Sequence, residues 1–257
     1  MHQRLLLLKN NMKITKILSI FVLSICIFNT SCRKPILITQ DLIVPNWQNG
    51  ERLFYGILRN DSIIGRTQYS ICFDVEGDIP VYCLEMLTDT DWQDDYLWDS
   101  SVVYFRRDNF VPIWSYRRVE TDFGYSITET HYEESDADIW FETIDGKETF
   151  NLSLKEPYFD SEMILNLMRA VRFTQAKKYS FNTFTPLTLQ LTSNSIRYNG
   201  KTIVTTPAGS FECDKMQLTT PFSKFYLYYE QQEPRRLVRY QEKKSNIALV
   251  LLGDSLR

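Results

Sequence analysis

Short strand-like runs separated by turn dipeptides constrain the fold of this chain most strongly. Between residues 51 and 153, runs rich in Tyr, Phe, Val, Ile and Thr are interrupted at Asn60-Asp61, Gly77-Asp78, Asp108-Asn109 and Asp145-Gly146. β-Branched and aromatic residues favour strands, and Asn, Asp and Gly favour the tight turns of hairpins. This part of the chain therefore predicts an antiparallel meander of about eight strands.

The hydrophobic period changes once, after this meander. Apolar residues at positions 163, 164, 167, 168 and 171 fall on one face of a helix. Asp160 suits the N-cap, and Glu162 suits the positive end of the helix dipole. A second β section follows the helix. We therefore predict a mainly β fold, in which a curved antiparallel sheet or open half-barrel wraps on one central α-helix at about residues 160–172.

The N-terminal residues 1–31 are typical of a secretory signal peptide whose natural start is Met12. The stretch has basic residues first, then an apolar run of 12 residues from Ile17 to Phe28, and small residues at its end. A membrane-spanning helix needs roughly 20 apolar residues, so the run is too short for a stable span.

The end of this leader resembles a bacterial lipoprotein box, in which small residues precede a cysteine that becomes lipidated. Thr30 and Ser31 fit the two positions before Cys32, whereas Asn29 stands where the usual pattern has an aliphatic residue. We expect lipid attachment at Cys32, a tether over residues 32–49 and a single β-rich domain over residues 50–257. The alternative is a leader cleaved nearby, with Cys32 left as an ordinary thiol.

The lipid on Cys32 would make a membrane the first partner of this protein. Arg33 follows Cys32, whereas an Asp at that position retains lipoproteins on the inner membrane of enteric bacteria. We therefore expect an outer-membrane lipoprotein of the cell envelope.

The charge balance excludes nucleic acid as a partner. Residues 32–257 hold 25 basic and 32 acidic residues, a formal charge of −7, because four of the basic residues and none of the acidic ones lie in residues 1–31. Binding to phosphates requires a basic surface. The same balance argues against electrostatic docking on anionic lipid.

The cysteines predict at most one disulfide. If Gly77-Asp78 forms a two-residue turn, Cys72 falls directly opposite Cys83 at a spacing that suits a disulfide. Buried free thiols on a core face are the favoured alternative. The cysteine spacings do not suggest zinc, and His131 is the one histidine after the leader. We expect no metal and no cofactor.

The stretch "TDTDWQDDYLWDSS" is the most unusual in composition. It interleaves aspartates with aromatic rings, and Trp92, Asp94, Asp95 and Trp98 are its candidate ligand surface. Tryptophan faces and carboxylates can bind a sugar, and carboxylate pairs can hydrolyse glycosides at separations of about 5 to 9 Å. A solvated acidic loop whose tryptophans pack on the sheet explains the pattern without a ligand. We predict no catalytic residue.

The segment "GKTIVTTPAGSFECDKMQL" carries a resemblance to a known family. Asn199-Gly200 predicts one turn, and Pro207-Ala208-Gly209 predicts the next. This hairpin, the opening "GERLFYGILRNDSIIGRTQYSI" and the capped helix before "KKYSF" resemble, in the same order, the exported bacterial family called domain of unknown function 3108. The resemblance covers roughly residues 49–252. It implies a curved antiparallel sheet or open barrel in a Gram-negative envelope, and no known reaction.

These features lead us to expect a lipid-anchored, non-catalytic binding module. The absence of a catalytic set and the excess of aromatic strand residues favour an apolar or elongated ligand, such as a lipid, a glycan or a partner segment. One alternative is a carbohydrate hydrolase that uses carboxylates of residues 89–99. A second alternative is a structural or assembly lipoprotein without a ligand.

Overall fold

A computed structural model describes residues 38–92, 95–154, 157–173 and 178–255. Their secondary structure is almost entirely β. The fifteen strands are β1 Glu51–Arg59, β2 Ser62–Glu76, β3 Ile79–Trp92, β4 Asp95–Arg106, β5 Pro112–Thr121, β6 Gly124–Tyr132, β7 Asp136–Thr143, β8 Gly146–Ser153, β9 Tyr158–Asp160, β10 Lys178–Thr185, β11 Gln190–Thr206, β12 Gly209–Thr219, β13 Lys224–Glu230, β14 Leu237–Glu242 and β15 Ile247–Ser255. The helical elements are one α-helix, α1 Ile164–Leu167, and the 3-10 turns Ile38–Asp41, Ser161–Met163, Met168–Ala170 and Pro186–Thr188.

All fifteen strands belong to one open, curved sheet, so the predicted fold class is confirmed. The strand order is β8-β7-β6-β5-β4-β3-β2-β1-β15-β14-β13-β12-β11-β10-β9. Neighbouring strands are antiparallel except for the parallel pair β9–β10. The pairing of β1 with β15 joins the two halves of the meander, with Arg59 opposite Ile247. The sheet curls far enough for β9 to contact β5.

The tight turns lie where the dipeptides predict them in the first half. Asn60 and Asp61 connect β1 to β2 with φ angles of 50° and 64°, as a type I′ hairpin turn requires. Gly77 and Asp78 connect β2 to β3, and Cys72 is directly opposite Cys83 in the resulting ladder.

The predicted turn at Asn199-Gly200 is wrong. These two residues form an irregularity inside the single long strand β11, because Tyr198 pairs with Met216 and Lys201 pairs with Asp214. Two residues of β11 thus oppose Lys215 alone, which is the arrangement of a β-bulge. Gly200 has φ of 102°, which glycine adopts without strain, so the chain bends here and does not reverse.

The helical segment is shorter than the predicted span of residues 160–172. Asp160 caps it, since its carboxylate accepts a hydrogen bond from the backbone N–H of Glu162 at 2.8 Å. The first and last turns are 3-10, and Val171 returns to an extended conformation to pair with Leu42. This cross-strand pairing ends the helix before the hydrophobic pattern does.

The core lies between the concave face of the sheet and this segment. Met163, Leu167 and Met168 of the segment are fully buried against inward side chains such as Tyr55 and Leu227. Residues before β1 complete the filling. The Trp47 ring packs edge-on against Tyr82, Phe105 and Phe110 at centroid distances of 4.8, 6.2 and 6.1 Å.

In the part of the chain that the structure describes, none of the helices has the length and apolar character that crossing a bilayer requires.

Candidate functional site

The outer face of β4–β7 carries a group of aromatic rings. Side chains alternate along a strand, and the inward positions of β4 include Val103 and Phe105, each about 1% exposed. The alternate residues of β4, such as Tyr104, face outward. We call four of the outward aromatic residues of these strands the outer aromatic surface: Tyr104 on β4, Trp114 and Tyr116 on β5, and Trp140 on β7. All four are half-buried.

Strand pairing brings these rings together. Tyr104 is opposite Trp114, and their ring centroids are 5.6 Å apart in an edge-on arrangement. The rings of Trp114 and Tyr116 are 6.3 Å apart and nearly parallel, with an interplanar angle of 16°. Tyr116, Glu129 and Trp140 occupy directly opposed positions on three adjacent strands. A single carboxylate therefore lies between the two aromatic halves of the surface.

Glu129 and its neighbours give this surface hydrogen-bonding groups. Trp114 donates from Nε1 to Glu129 Oε1 at 3.0 Å, and the ring of His131 lies 3.1 Å from the same oxygen. Asp138, opposite His131, accepts a hydrogen bond from the Asn151 amide at 2.7 Å. His131 is thus an exposed member of a surface cluster.

A second group of charged residues lies on the inner side, where the helical segment begins. Arg117 donates to both carboxylate oxygens of Asp99 at 3.0 and 2.7 Å and to Glu162 Oε1 at 2.7 Å. Asp160 accepts a hydrogen bond of 2.5 Å from the Tyr132 hydroxyl. We call these five residues the buried ion cluster. It joins β4, β5 and β6 to the start of the helical segment.

Burial dominates the electrostatics of this cluster. The loss of hydration raises the pKa of Glu162 to about 7, against the attraction of Arg117 and with the repulsion of Asp99 and Asp160. It also raises the pKa of Asp160, although hydrogen bonds from Tyr132 and the Glu162 backbone oppose that change. Three carboxyl groups share one guanidinium, so the cluster favours keeping a proton on one of them.

The space at this cluster is small. A cavity of about 10 Å³, lined in part by Ser115, Thr128 and Leu187, has room for roughly one water molecule. The Thr128 hydroxyl at its wall has no hydrogen-bond partner among the described residues. The cluster therefore supports the fold, and it does not form a pocket for an organic ligand.

A third set of charges fastens the end of the helical segment. Arg169 is fully buried; it donates to Glu51 Oε1 at 2.6 Å, to the Pro234 carbonyl at 3.0 Å and to Asn166 Oδ1 at 3.2 Å. Its guanidinium also lies 5.7 Å from the Trp47 ring centroid. This network ties the segment to β1 and to the loop before β14.

The site residues predicted from the sequence fall into three groups. Cys32 lies outside the described residues, as do the side chains of Trp92, Asp94 and Asp95. Trp98 is half-buried and opposite Asp89 and Glu120 on the outer face. It shares that face with Tyr104, six residues or about 20 Å further along β4.

Cys72 and Cys83 are free thiols in the structure. They do not lie on a core face, because Cys83 is opposite Cys72 and the outward Tyr104. Burial raises the pKa of the Cys83 thiol to about 12. Among the described residues, no group of His, Cys, Asp and Glu side chains is arranged to hold a metal ion.

The outer aromatic surface was missed by sequence reasoning, although a signal for it exists. In "PIWSYRRVE", Trp114 and Tyr116 alternate with Ser115 and Arg117, so one face of the strand is aromatic. Whether this aromatic face points to the core or to the solvent depends on which of the alternating side chains of β5 point inward. In the structure Val119 points inward, so Trp114 and Tyr116 point outward, and the sequence alone does not reveal this orientation.

Comparison with known proteins identifies a family. The family described as "Protein of unknown function (DUF3108)" matches residues 78–246, more than half of the chain. The chain belongs to this family. No curated protein shows a significant match.

One solved structure shows a similar architecture. A β-barrel-like protein of the domain of unknown function DUF1849 from Brucella abortus has a TM-score of 0.55 at 10% identity and covers 81% of this chain and 98% of its own. A protein from Bacteroides fragilis with a fold described as YmcC-like has a TM-score of 0.35 at 13% identity, covering 84% of this chain and 100% of its own. A protein from Parabacteroides distasonis described as a lipoprotein scores 0.32 at 12% identity, covering 84% and 99%. The first likeness concerns the fold alone, and the scores of the other two are too low to establish a shared fold.

Proposed function

We propose that this DUF3108 protein is a lipid-anchored, non-catalytic binding module of the bacterial cell envelope that holds an elongated ligand on the outer face of its sheet. The contrast between the two faces carries the proposal. The concave face is filled by the helical segment and by Trp47, whereas the rings of the outer aromatic surface are only half-buried. Exposed aromatic rings in a cluster are typical of recognition surfaces.

The filled interior favours a ligand on the surface over a lipid held inside the sheet. Pockets for small molecules usually enclose about 300 Å³ or more. The cavity at the buried ion cluster is far smaller, with about 10 Å³. The buried side chains of the concave face form a hydrophobic core around the helical segment.

Asp89 and Asp99, the two aspartates of residues 89–99 whose side chains the structure describes, do not form a hydrolytic pair. Hydrolysis of a glycoside needs two carboxylates on the same side of a sugar-binding cleft, at separations of about 5 to 9 Å. Asp99 faces the core and is ion-paired with Arg117, whereas Asp89 is opposite Trp98 on the outer face. The sheet separates these two carboxylates, so they do not form such a pair.

The proposed anchor is a lipid on Cys32, and the proposed address is the outer membrane. A test is metabolic labelling with palmitate followed by membrane fractionation. The wild-type protein and a Cys26→Ser control should carry label and sediment with membranes, because Cys26 follows the bulky Ile25. Cys32→Ser should be unlabelled. Label that stays on Cys32→Ser, or none on the wild type, would exclude this attachment site.

The binding role is tested by native mass spectrometry of the protein extracted from its own envelope. We expect a bound molecule in repeated preparations, and we expect its removal to leave the fold intact, since the interior needs no ligand to be filled. Repeated absence of any bound molecule would favour the alternative of a structural lipoprotein, which a filled core also suits.

A further inference from the structure

The outer aromatic surface has the shape of a shallow platform crossing four strands. Neighbouring strands lie about 4.8 Å apart, so Tyr116 on β5 and Trp140 on β7 are separated by about 10 Å across the sheet. Tyr104 on β4 is opposite Trp114 and extends the neighbouring row by one strand. The long direction of the platform therefore runs across the strands, and it suits a chain-like ligand several rings in length.

Carboxylate and amide groups lie along the same rows as the rings. Glu129 separates Tyr116 from Trp140, with 36% of its side chain exposed. The next row continues from Trp114 through His131 and Asp138 to Asn151, and the last three are exposed. A ligand stacked on the rings would thus meet hydrogen-bond acceptors at its edges.

The alternation of aromatic rings and polar groups favours some chain-like ligands over others. A sugar ring presents an apolar C–H face to an aromatic ring and hydroxyl groups at its rim, so it uses both kinds of group at once. An acyl chain has no hydrogen-bonding groups, and its binding would bury the carboxylates of Glu129 and Asp138 without compensation. The mixed surface therefore favours a saccharide over a lipid tail.

The charges near the platform favour a neutral saccharide. Glu129 and Asp138 face the ligand side, and Glu142 forms an ion pair with Lys147 at 3.2 Å. The Lys147 ammonium lies over the Trp140 ring, 5.1 Å from its centroid, and a sugar ring that stacks on that face would displace this exposed side chain. An anionic polysaccharide would meet the like charges of Glu129 and Asp138. The formal charge of −7 on residues 32–257 acts in the same direction.

We infer that the outer aromatic surface binds a neutral glycan chain, which lies across β4–β7 with sugar rings on Trp114 and Trp140 and with hydroxyl groups on Glu129 and Asp138. This inference rests on the proposed binding function and names the class of its ligand. The aromatic rings provide the contact area, and the carboxylates orient the chain.

Affinity gel electrophoresis tests the inference with defined probes. The intact protein in detergent is run in gels that contain soluble β-glucan, xylan, galactomannan or hydroxyethyl cellulose, and polygalacturonate serves as the anionic probe. The variants are Trp114→Ala and Trp140→Ala, on two different strands. The matched control is Tyr226→Ala on the outer face of β13, away from the platform. There the Lys215 ammonium lies 4.4 Å from the centroid of the Tyr226 ring.

We expect at least one neutral polysaccharide to retard the wild-type protein and Tyr226→Ala equally. Each tryptophan variant should bind about tenfold more weakly, because loss of one stacked ring removes about 1.4 kcal/mol. Polygalacturonate should not retard the protein. Circular dichroism and urea unfolding establish that the variants are folded. If one tryptophan variant unfolds, Glu129→Gln, which keeps the size of the side chain, gives a further measure of platform binding.

The outcomes separate this inference from the proposed function. Equal retardation of all the variants would place glycan binding elsewhere on the protein. The inference that the outer aromatic surface binds the glycan would then fail, while the proposed binding function would stand. Failure of every neutral probe to retard the wild type would overturn the glycan class. The proposed function would then depend on the mass-spectrometric result, and it would fail only if no bound molecule of any class were found.

Discussion

Glu162→Gln should remove a pH-dependent loss of stability that the buried ion cluster imposes on the fold. Burial raises the pKa of Glu162 from 4.5 to about 7. The folded protein therefore holds this proton more tightly than the unfolded chain does. The resulting penalty is absent below about pH 4.5, grows between pH 4.5 and 7, and is complete above pH 7. A glutamine cannot ionise, so the variant escapes the penalty.

The size of the effect follows from the change in pKa. A difference of about 2.5 in pKa corresponds to about 3 kcal/mol of differential stability. The side chain is only 16% exposed, so screening by solvent reduces this value little. We expect the free energy of unfolding of the wild type, minus that of Glu162→Gln, to fall by about 2 to 3 kcal/mol from pH 4.5 to pH 8.

Urea unfolding at pH 4.5, 5.5, 6.5 and 8 measures this difference. The control is Glu148→Gln, which removes an exposed carboxylate on the edge strand β8 and should show a constant difference from the wild type. Equal m-values between variants are needed for the comparison, since the m-value reports the surface exposed on unfolding. Subtracting the variant from the wild type cancels the titration of carboxylates outside the buried ion cluster.

A constant difference between the wild type and Glu162→Gln over this range would refute the reasoning. It would mean that the pKa of folded Glu162 stays near 4.5, so that the attraction of Arg117 balances the cost of burial. A difference that rises with pH would also refute the reasoning, because it would place the pKa of folded Glu162 below 4.5.

Two further substitutions test the packing of the fold by urea unfolding. Arg169→Met should destabilise the protein by about 3 to 5 kcal/mol, because it leaves the buried carboxylate of Glu51 without its cation. The double variant Arg169→Met/Glu51→Gln should lose less stability than the single variant. An equal loss of stability in both would contradict the charge argument. Gly65→Ala should cost about 1 to 3 kcal/mol, because a Cβ at Gly65 would lie 2.6 Å from the Asp89 carbonyl oxygen. Gly253→Ala, with no atom within 4 Å of the added Cβ, should be near neutral, and equal losses at both glycines would exclude the steric explanation.

The local signals in the sequence were sufficient for the fold class. The dipeptides Asn60-Asp61 and Gly77-Asp78 reverse the chain because their residues tolerate positive φ, and Asp160 caps the helix through its own carboxylate. These preferences act over a few residues and do not depend on the remainder of the chain. Asn199-Gly200 shows their limit, since a dipeptide suited to a turn becomes a bulge when both flanking segments pair with the same strand.

The sequence by itself determined a strand-rich meander, one capped helix and the register of the first hairpins, because each depends on neighbouring residues. The tertiary structure alone decided which distant residues meet. The pairing of β1 with β15 joins residues nearly 200 positions apart, and the curl of the sheet brings Glu162 to Arg117. It also sets Trp114, Tyr116 and Trp140 in one outward group. Strand order and curvature result from the packing of the whole core, and no short stretch of sequence contains that information.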